Sequence, residues 1–214
     1  MKIDVKGPIV HNDDKWIYDL FDIESTCPAD VSKKLAEAAE KNETVDVDIN
    51  SGGGDVFSGS EIYSALRAFT GKVNIHVVGI AASAASVIAC AGKSDITPTG
   101  QIMIHNVSGY GGGDYHEHDK MSEILQQANR AIAAAYVEKT GMSEKDALDL
   151  MDKETWITAQ DAVDYGLIDQ IAPNRNTVET TAERLTASAG GMLPKSVIDK
   201  MQNRKQALID YFSK

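Results

Sequence analysis

Twice within its first 90 residues, this chain runs an apolar, strand-like segment into small or glycine-rich residues. "ETVDVDIN" (43–50) alternates apolar and polar residues, and "SGGGDV" follows it. "GKVNIHVVG" (71–79) is again strand-like and leads into "IAASAASVIA". Between these strands lie stretches with helical spacing. In residues 28–42 the stripe is Val31, Leu35 and Ala38 or Ala39; in residues 57–69 it is Ile62, Leu66 and Phe69. Period-2 runs alternating with period-3.6 runs can bury both kinds of apolar face only by layering helices on a sheet. Strands separated by helical crossovers lie parallel, so the expected class is α/β with a largely parallel sheet.

Other stretches extend the reading. Residues 2–10 form a first strand ending at Gly7-Pro8, and "SDITPTGQIMIHN" (94–106) reads as a strand. "GYGGGDYHEHDK" (109–120) has the composition of a loop or short hairpin, and 119–139 the period and alanine content of a long helix. Ser143 suits the N-cap of a further helix, and Thr158 that of a short one closed by Gly166 and followed by a strand. After Pro173 the chain turns polar and rich in Thr, Ala and Gly, then ends in an amphipathic stretch. The expected organisation is one domain over 1–173, then a linker and tail over 174–214 with a short helix.

Composition narrows the function classes. The net charge is −11, which argues against a nucleic-acid binder, because phosphate contacts need clustered Lys and Arg. Residues 174–214 hold seven Lys or Arg against four Asp or Glu, so the acidity lies in the body. The two cysteines, Cys27 and Cys90, have no zinc or disulfide spacing, and Cys90 in "SVIACAG" reads as a buried core residue. No run of about 18 apolar residues is present, so no membrane span is expected, and the default location is cytoplasmic.

Three segments carry chemistry. "INSGGGDV", "AASAAS" and "MIHN" each lie where a strand ends, and in α/β folds ligands gather at that edge of the sheet. A serine hydroxyl needs a neighbouring base before it attacks an acyl carbon, and histidine is the usual base. The oxyanion then formed needs donors already in place, which glycine-rich backbone can present. A third group, usually a carboxylate, holds the imidazole in its working tautomer.

In order, "INSGGGDVFSGSEIYSAL", "GIAASAASVIACAG", "MIHN" and "KETWITAQDAVDYGLID" resemble the Clp protease proteolytic subunit family of serine peptidases. Within it, they are most similar to the phage and prophage head maturation proteases. The resemblance spans roughly residues 5–172. It implies a Clp/crotonase-like fold of stacked ββα units with a protruding helical handle over about 109–139. It also implies a homo-oligomeric ring, heptameric or a stacked double ring, with a protein or peptide substrate. A phage capsid or scaffold protein would be that substrate. An AAA+ unfoldase is the partner in the housekeeping alternative, a degradative subunit. No cofactor and no metal are implied.

Carried onto this sequence, the resemblance makes Ser83 the nucleophile and His105 the base. The backbone N–H groups of Gly54 and Ala84 form the oxyanion hole, with Gly53 supporting the turn. The third member falls on Glu154, where the housekeeping pattern has aspartate, with Asp152 as the fallback. Gly52 stands where that pattern has proline, which should loosen the loop. Other readings remain. Ser86 is expected to bond back to its own helix. The triple glycine lacks the lysine of a phosphate loop. "HEHD" (116–119) reads as a solvated helix start, and Trp156 and Tyr165 as core. The rival functions are a crotonase-like acyl-CoA enzyme and a non-catalytic ring subunit.

Overall fold

The computed structural model describes residues 1–173. The expected linker and tail of 174–214 lie outside the described residues. Elements run β1 (Lys2–Lys6), α1 (Lys15–Leu20), α2 (Pro28–Lys41), β2 (Val45–Ser51), α3 (Val56–Ala68), β3 (Val73–Ala82) and α4 (Ala84–Ala89). They continue with β4 (Lys93–Ile96), β5 (Gln101–Ile104), α5 (Tyr115–Thr140), α6 (Glu144–Asp152), β6 (Thr155–Thr158), α7 (Ala159–Asp164) and β7 (Gln170–Ile171).

The sheet runs β1-β2-β3-β4-β7, all parallel. β3 is shared. Its first half pairs with β4, and Ile80–Ala82 pair with β5, also in parallel. β6 closes back antiparallel on β5, with Ile104 opposite Thr155. The alternation seen in sequence decides which face is buried. Ile3, Val5, Val45, Val47, Ile49, Ile75 and Val77 are all at most 1% exposed, and α2, α3 and α4 pack over that side. Each such side chain contributes about 1.5–3 kcal/mol by leaving water. The helical stripes land as expected: Val31, Leu35, Ala38, Ile62 and Leu66 are core.

Several expectations need correction. The segment 94–106 is two strands, split by a turn at Thr97–Gly100 in which Gly100 N–H donates to Thr97 O at 2.8 Å. The first strand stops at Lys6, because Gly7 turns the chain at φ +64°. Residues 115–120 are helix, not loop. Asp114 caps α5 in a box with Glu117, a D-x-x-E signal present in the sequence. α1 and β6 were not foreseen. Trp156 and Tyr165 are 55% and 44% exposed, so neither is core.

With 26 residues, α5 is about 39 Å long. Its only buried residues are Ala133, Ala135 and Tyr136, all near its C-terminal end. The N-terminal half therefore projects from the body. α5 covers most of the stretch over which a handle is expected, beginning at Tyr115.

Candidate active site

Ser83 sits at the junction between β3 and α4, with φ +54° and ψ −125°. A non-glycine residue there carries strain of about 1–3 kcal/mol, so the surroundings must over-determine it. They do. Ser83 N–H donates to Met103 O at 2.8 Å, tying it to β5. Its carbonyl accepts from Ser86 N–H at 2.9 Å and from Ser86 Oγ at 2.6 Å. Ser86 thus bonds back to the helix, as expected. It also meets Tyr136 Oη at 2.8 Å, which anchors the base of α5 behind the serine turn. Burial pushes the Tyr136 phenol up, against a smaller opposite effect of the Ser86 hydroxyl.

The small residues around Ser83 have a packing reason. A Cβ on Gly59 of α3 would lie 2.8 Å from Ala84 Cβ. A Cβ on Gly53 would lie 2.7 Å from Ser83 Cβ and 3.0 Å from Ala84 N. The glycine loop and α3 therefore press directly against the serine turn, and no larger residue fits at either place. Gly53 also takes φ +93° and Gly54 φ +153°, conformations that favour glycine.

His105 follows β5 directly. Its Nε2 lies 2.8 Å from Ser83 Oγ. With the ring proton on Nδ1, Nε2 accepts from the serine hydroxyl, the arrangement a general base needs. Among the described residues, the N–H groups of Gly54 and Ala84 donate to no protein acceptor. Both belong to segments in contact with Ser83: Ala84 follows it in the chain, and Gly54 follows Gly53, which packs against Ser83 Cβ.

The two carboxylates proposed as third member are not bonded to the imidazole. Asp152 accepts from Asn106 Nδ2 at 2.7 Å. Glu154 is exposed and its carboxylate has no hydrogen-bond partner among the described residues. Its backbone is unusual, at φ +48° just past α6, with its N–H donated to Met151 O at 3.0 Å. Glycine is the usual residue at such a helix end. The β5–β6 register pairs Met103 with Trp156 and Ile104 with Thr155. The pairing ends there, so His105 follows the last paired residue of β5 and Glu154 precedes the first of β6.

His116, His118 and Asp119 are exposed on the first turns of α5, away from this cluster in sequence and structure. Cys90 is buried, and burial pushes its thiol up to about 12. The residues that sequence reasoning missed are Ser51, Tyr136 and Ile9, which brace the site without touching the serine hydroxyl. Only Ser51 left a signal, as a lone hydroxyl beside the triple glycine.

Residues 17–175 match the profile of the Clp protease family, well over half of the chain. The chain belongs to the Clp protease family. The proteolytic subunit 1 of the ATP-dependent Clp protease from Streptomyces avermitilis is 31% identical over 153 residues, 70% of each chain. Its counterpart from Chlamydia abortus is 35% identical over 151 residues, 67% of this chain and 78% of the relative. A ClpP1 point mutant from Listeria monocytogenes has the same fold, with a TM-score of 0.67 at 24% identity. That match covers 82% of this chain and 92% of the other. The family match thus spans the region that carries the serine turn, the glycine loop and His105. Among the described residues, no helix is long and apolar enough to cross a membrane.

Proposed function

We propose that this protein is a serine endopeptidase, the proteolytic subunit of a Clp-type machine. The observation that carries the reading is the 2.8 Å approach of His105 Nε2 to Ser83 Oγ, at a serine held in strained backbone. Ser83 Oγ attacks the scissile carbonyl, and His105 takes its proton. The carbonyl oxygen becomes an oxyanion between the Gly54 and Ala84 N–H groups. His105 then passes the proton to the departing amine, leaving an acyl-enzyme on Ser83. Water, deprotonated by His105, releases the acid and restores the serine. Positioned donors of this kind contribute roughly 10² to 10³ each in rate.

Glu154 is our third member, in preference to Asp152. Its place just before β6, next to where His105 leaves β5, supports it, and it occupies a left-handed position where glycine would relieve strain. Asp152 is already engaged with Asn106.

Assembly into a homo-oligomeric ring follows from the family reading, with α5 as the handle between rings. Exposed apolar side chains fit such contacts, among them Trp16 at 64%, Phe57 at 73% and Ile124 at 54%. The relatives are named as subunits of ATP-dependent proteases, which supports an AAA+ unfoldase as the supplier of substrate and a cytoplasmic setting. The narrower setting, phage head maturation on capsid or scaffold protein, rests on the likeness of the four ordered motifs to the phage branch, in which "SGGG" and "KETW" depart from the housekeeping pattern.

The test is intact-mass labelling with a fluorophosphonate, with size-exclusion on the same samples. One adduct on wild type and on Ser86→Ala, absent from Ser83→Ala, supports the peptidase. No adduct on an assembled ring removes it and favours the non-catalytic subunit. Offering the labelled-competent ring an unfolded protein with an unfoldase, and capsid protein without one, separates the two settings.

A further inference from the structure

The sequence suggested that Gly52, in place of proline, would leave the glycine loop slack. The structure shows what holds it instead. Ser51 is 1% exposed. Its Oγ donates to Gly7 O at 2.6 Å and accepts from Gly53 N–H at 3.1 Å. Ile9 N–H donates to Gly53 O at 2.9 Å, and Asp55 N–H donates to Ile9 O at 2.9 Å. Gly54 also lies flat on Ile9, whose carbonyl oxygen would be 2.1 Å from a Cβ there. The segment Gly7–Ile9 is therefore laced to the loop on both sides of Gly54.

This lacing fixes one peptide plane. In a trans peptide the C=O of residue 53 and the N–H of residue 54 point in opposite directions. With Gly53 O turned toward Ile9, the Gly54 N–H points away from it. The N–H groups of Gly53 and Asp55 are both used, and that of Gly54 is left free. A glycine pair could otherwise flip this plane readily, because neither residue has a Cβ to resist it.

We propose that Ser51 is a positioning residue: its hydroxyl clips the glycine loop to Gly7 and so keeps the Gly54 N–H aimed for the oxyanion. This rests on the peptidase reading above. Ser51 touches no reacting atom and acts only through Gly53. It stiffens a loop in which Gly52 offers no restraint of its own.

The experiment measures fluorophosphonate labelling of the full-length protein as separate kinact and KI. In that reaction the Ser83 Oγ–P bond forms, fluoride leaves and the serine proton passes to His105. The variants are Ser51→Ala and the near-isosteric Ser51→Cys, each with its thermal midpoint. Thr26→Val is the control. Thr26 Oγ1 bridges the N–H and C=O of Lys6, at 3.0 and 2.9 Å, on the same segment but off the loop. We expect kinact to fall about 10- to 100-fold in both Ser51 variants, somewhat less than deleting a donor outright. KI should stay within about twofold of wild type, since only the transition state uses the donor. Thr26→Val should lose midpoint but keep kinact. Wild-type kinact in the Ser51 variants overturns the proposal. So does an equal loss of kinact in Thr26→Val, which would make the effect one of stability. A wild type that takes no label at Ser83 overturns the peptidase reading itself.

Discussion

Replacing Gly59 with alanine tests whether the small residues around Ser83 serve packing or mere flexibility. In an ordinary helix this change stabilises by about 1 kcal/mol. Here the new methyl would lie 2.8 Å from Ala84 Cβ and 3.3 Å from Ala84 O, closer than carbon atoms pack. Overpacking of this sort costs about 1–3 kcal/mol. The balance runs from about zero to 2 kcal/mol destabilising, and each kcal/mol lowers the midpoint by roughly 2–4 °C in a chain of this size. The larger effect should fall on chemistry. α4 can relieve the clash only by moving away from α3, and it carries both Ser83 and the Ala84 N–H at its start. A displacement of 1 Å costs about 10²-fold in rate, so a shift of a few tenths should cost several-fold to tenfold. Calorimetry and fluorophosphonate labelling together check this. Adding Ala84→Gly removes the opposing methyl, and the double variant should recover labelling beyond either single change combined additively. A Gly59→Ala protein that is about 1 kcal/mol more stable and labels at the wild-type rate would refute the packing argument.

Glu154→Gly should raise the thermal midpoint by relieving a left-handed backbone, by about 1 kcal/mol, while lowering labelling; Asp152→Asn should leave labelling within a few-fold. Greater loss in Asp152→Asn than in Glu154→Gly would transfer the orienting role to Asp152. Burial by itself would raise the Asp169 carboxyl, but the Lys139 ammonium and Ser94 hydrogen bonds outweigh it and hold it below the usual range. That stability is present above the ordinary carboxylate pKa and lost as pH falls through the depressed value, so Asp169→Asn should flatten the acid limb of the midpoint-versus-pH curve. An unchanged acid limb would show that the Asp169 cluster contributes nothing there. Both thiols are buried and pushed up by burial, so neither Cys27 nor Cys90 should react with a thiol reagent at pH 8 until the protein is denatured. Rapid reaction of either thiol in the native protein would contradict its burial.

How far the site was legible follows from distance along the chain. α2, β2 and α3 were readable because periodicity is a local property, set by residues three or four apart. β6 was not, since four residues of "TWIT" form a strand only because β5 is there to pair with. α1 was missed because its six residues are too few for a period to stand out, and its apolar side chains Trp16, Ile17 and Leu20 stay exposed rather than joining the core. Trp156 looked like core by residue type, yet β6 turns it outward. The motif order singled out Ser83, His105 and the glycine loop, but nothing local showed that Ser83 would adopt φ +54°.

The alternation of strands and helices, the small residues at strand ends and the residue types available for acyl transfer are all legible in the order of the chain. Tertiary structure alone decided that His105 meets Ser83 across 22 residues and that Ser51 reaches Gly7 across 44. It also split the long apolar segment into β4 and β5, left Asp152 with Asn106, and pressed Gly59 against Ala84. The physical reason is the range of the forces. Backbone preference and amphipathic period act over a few residues and are written in the order of the chain. A strained turn, a fixed peptide plane or a hydroxyl aimed at an imidazole exists only when packing from several distant segments outweighs the local cost.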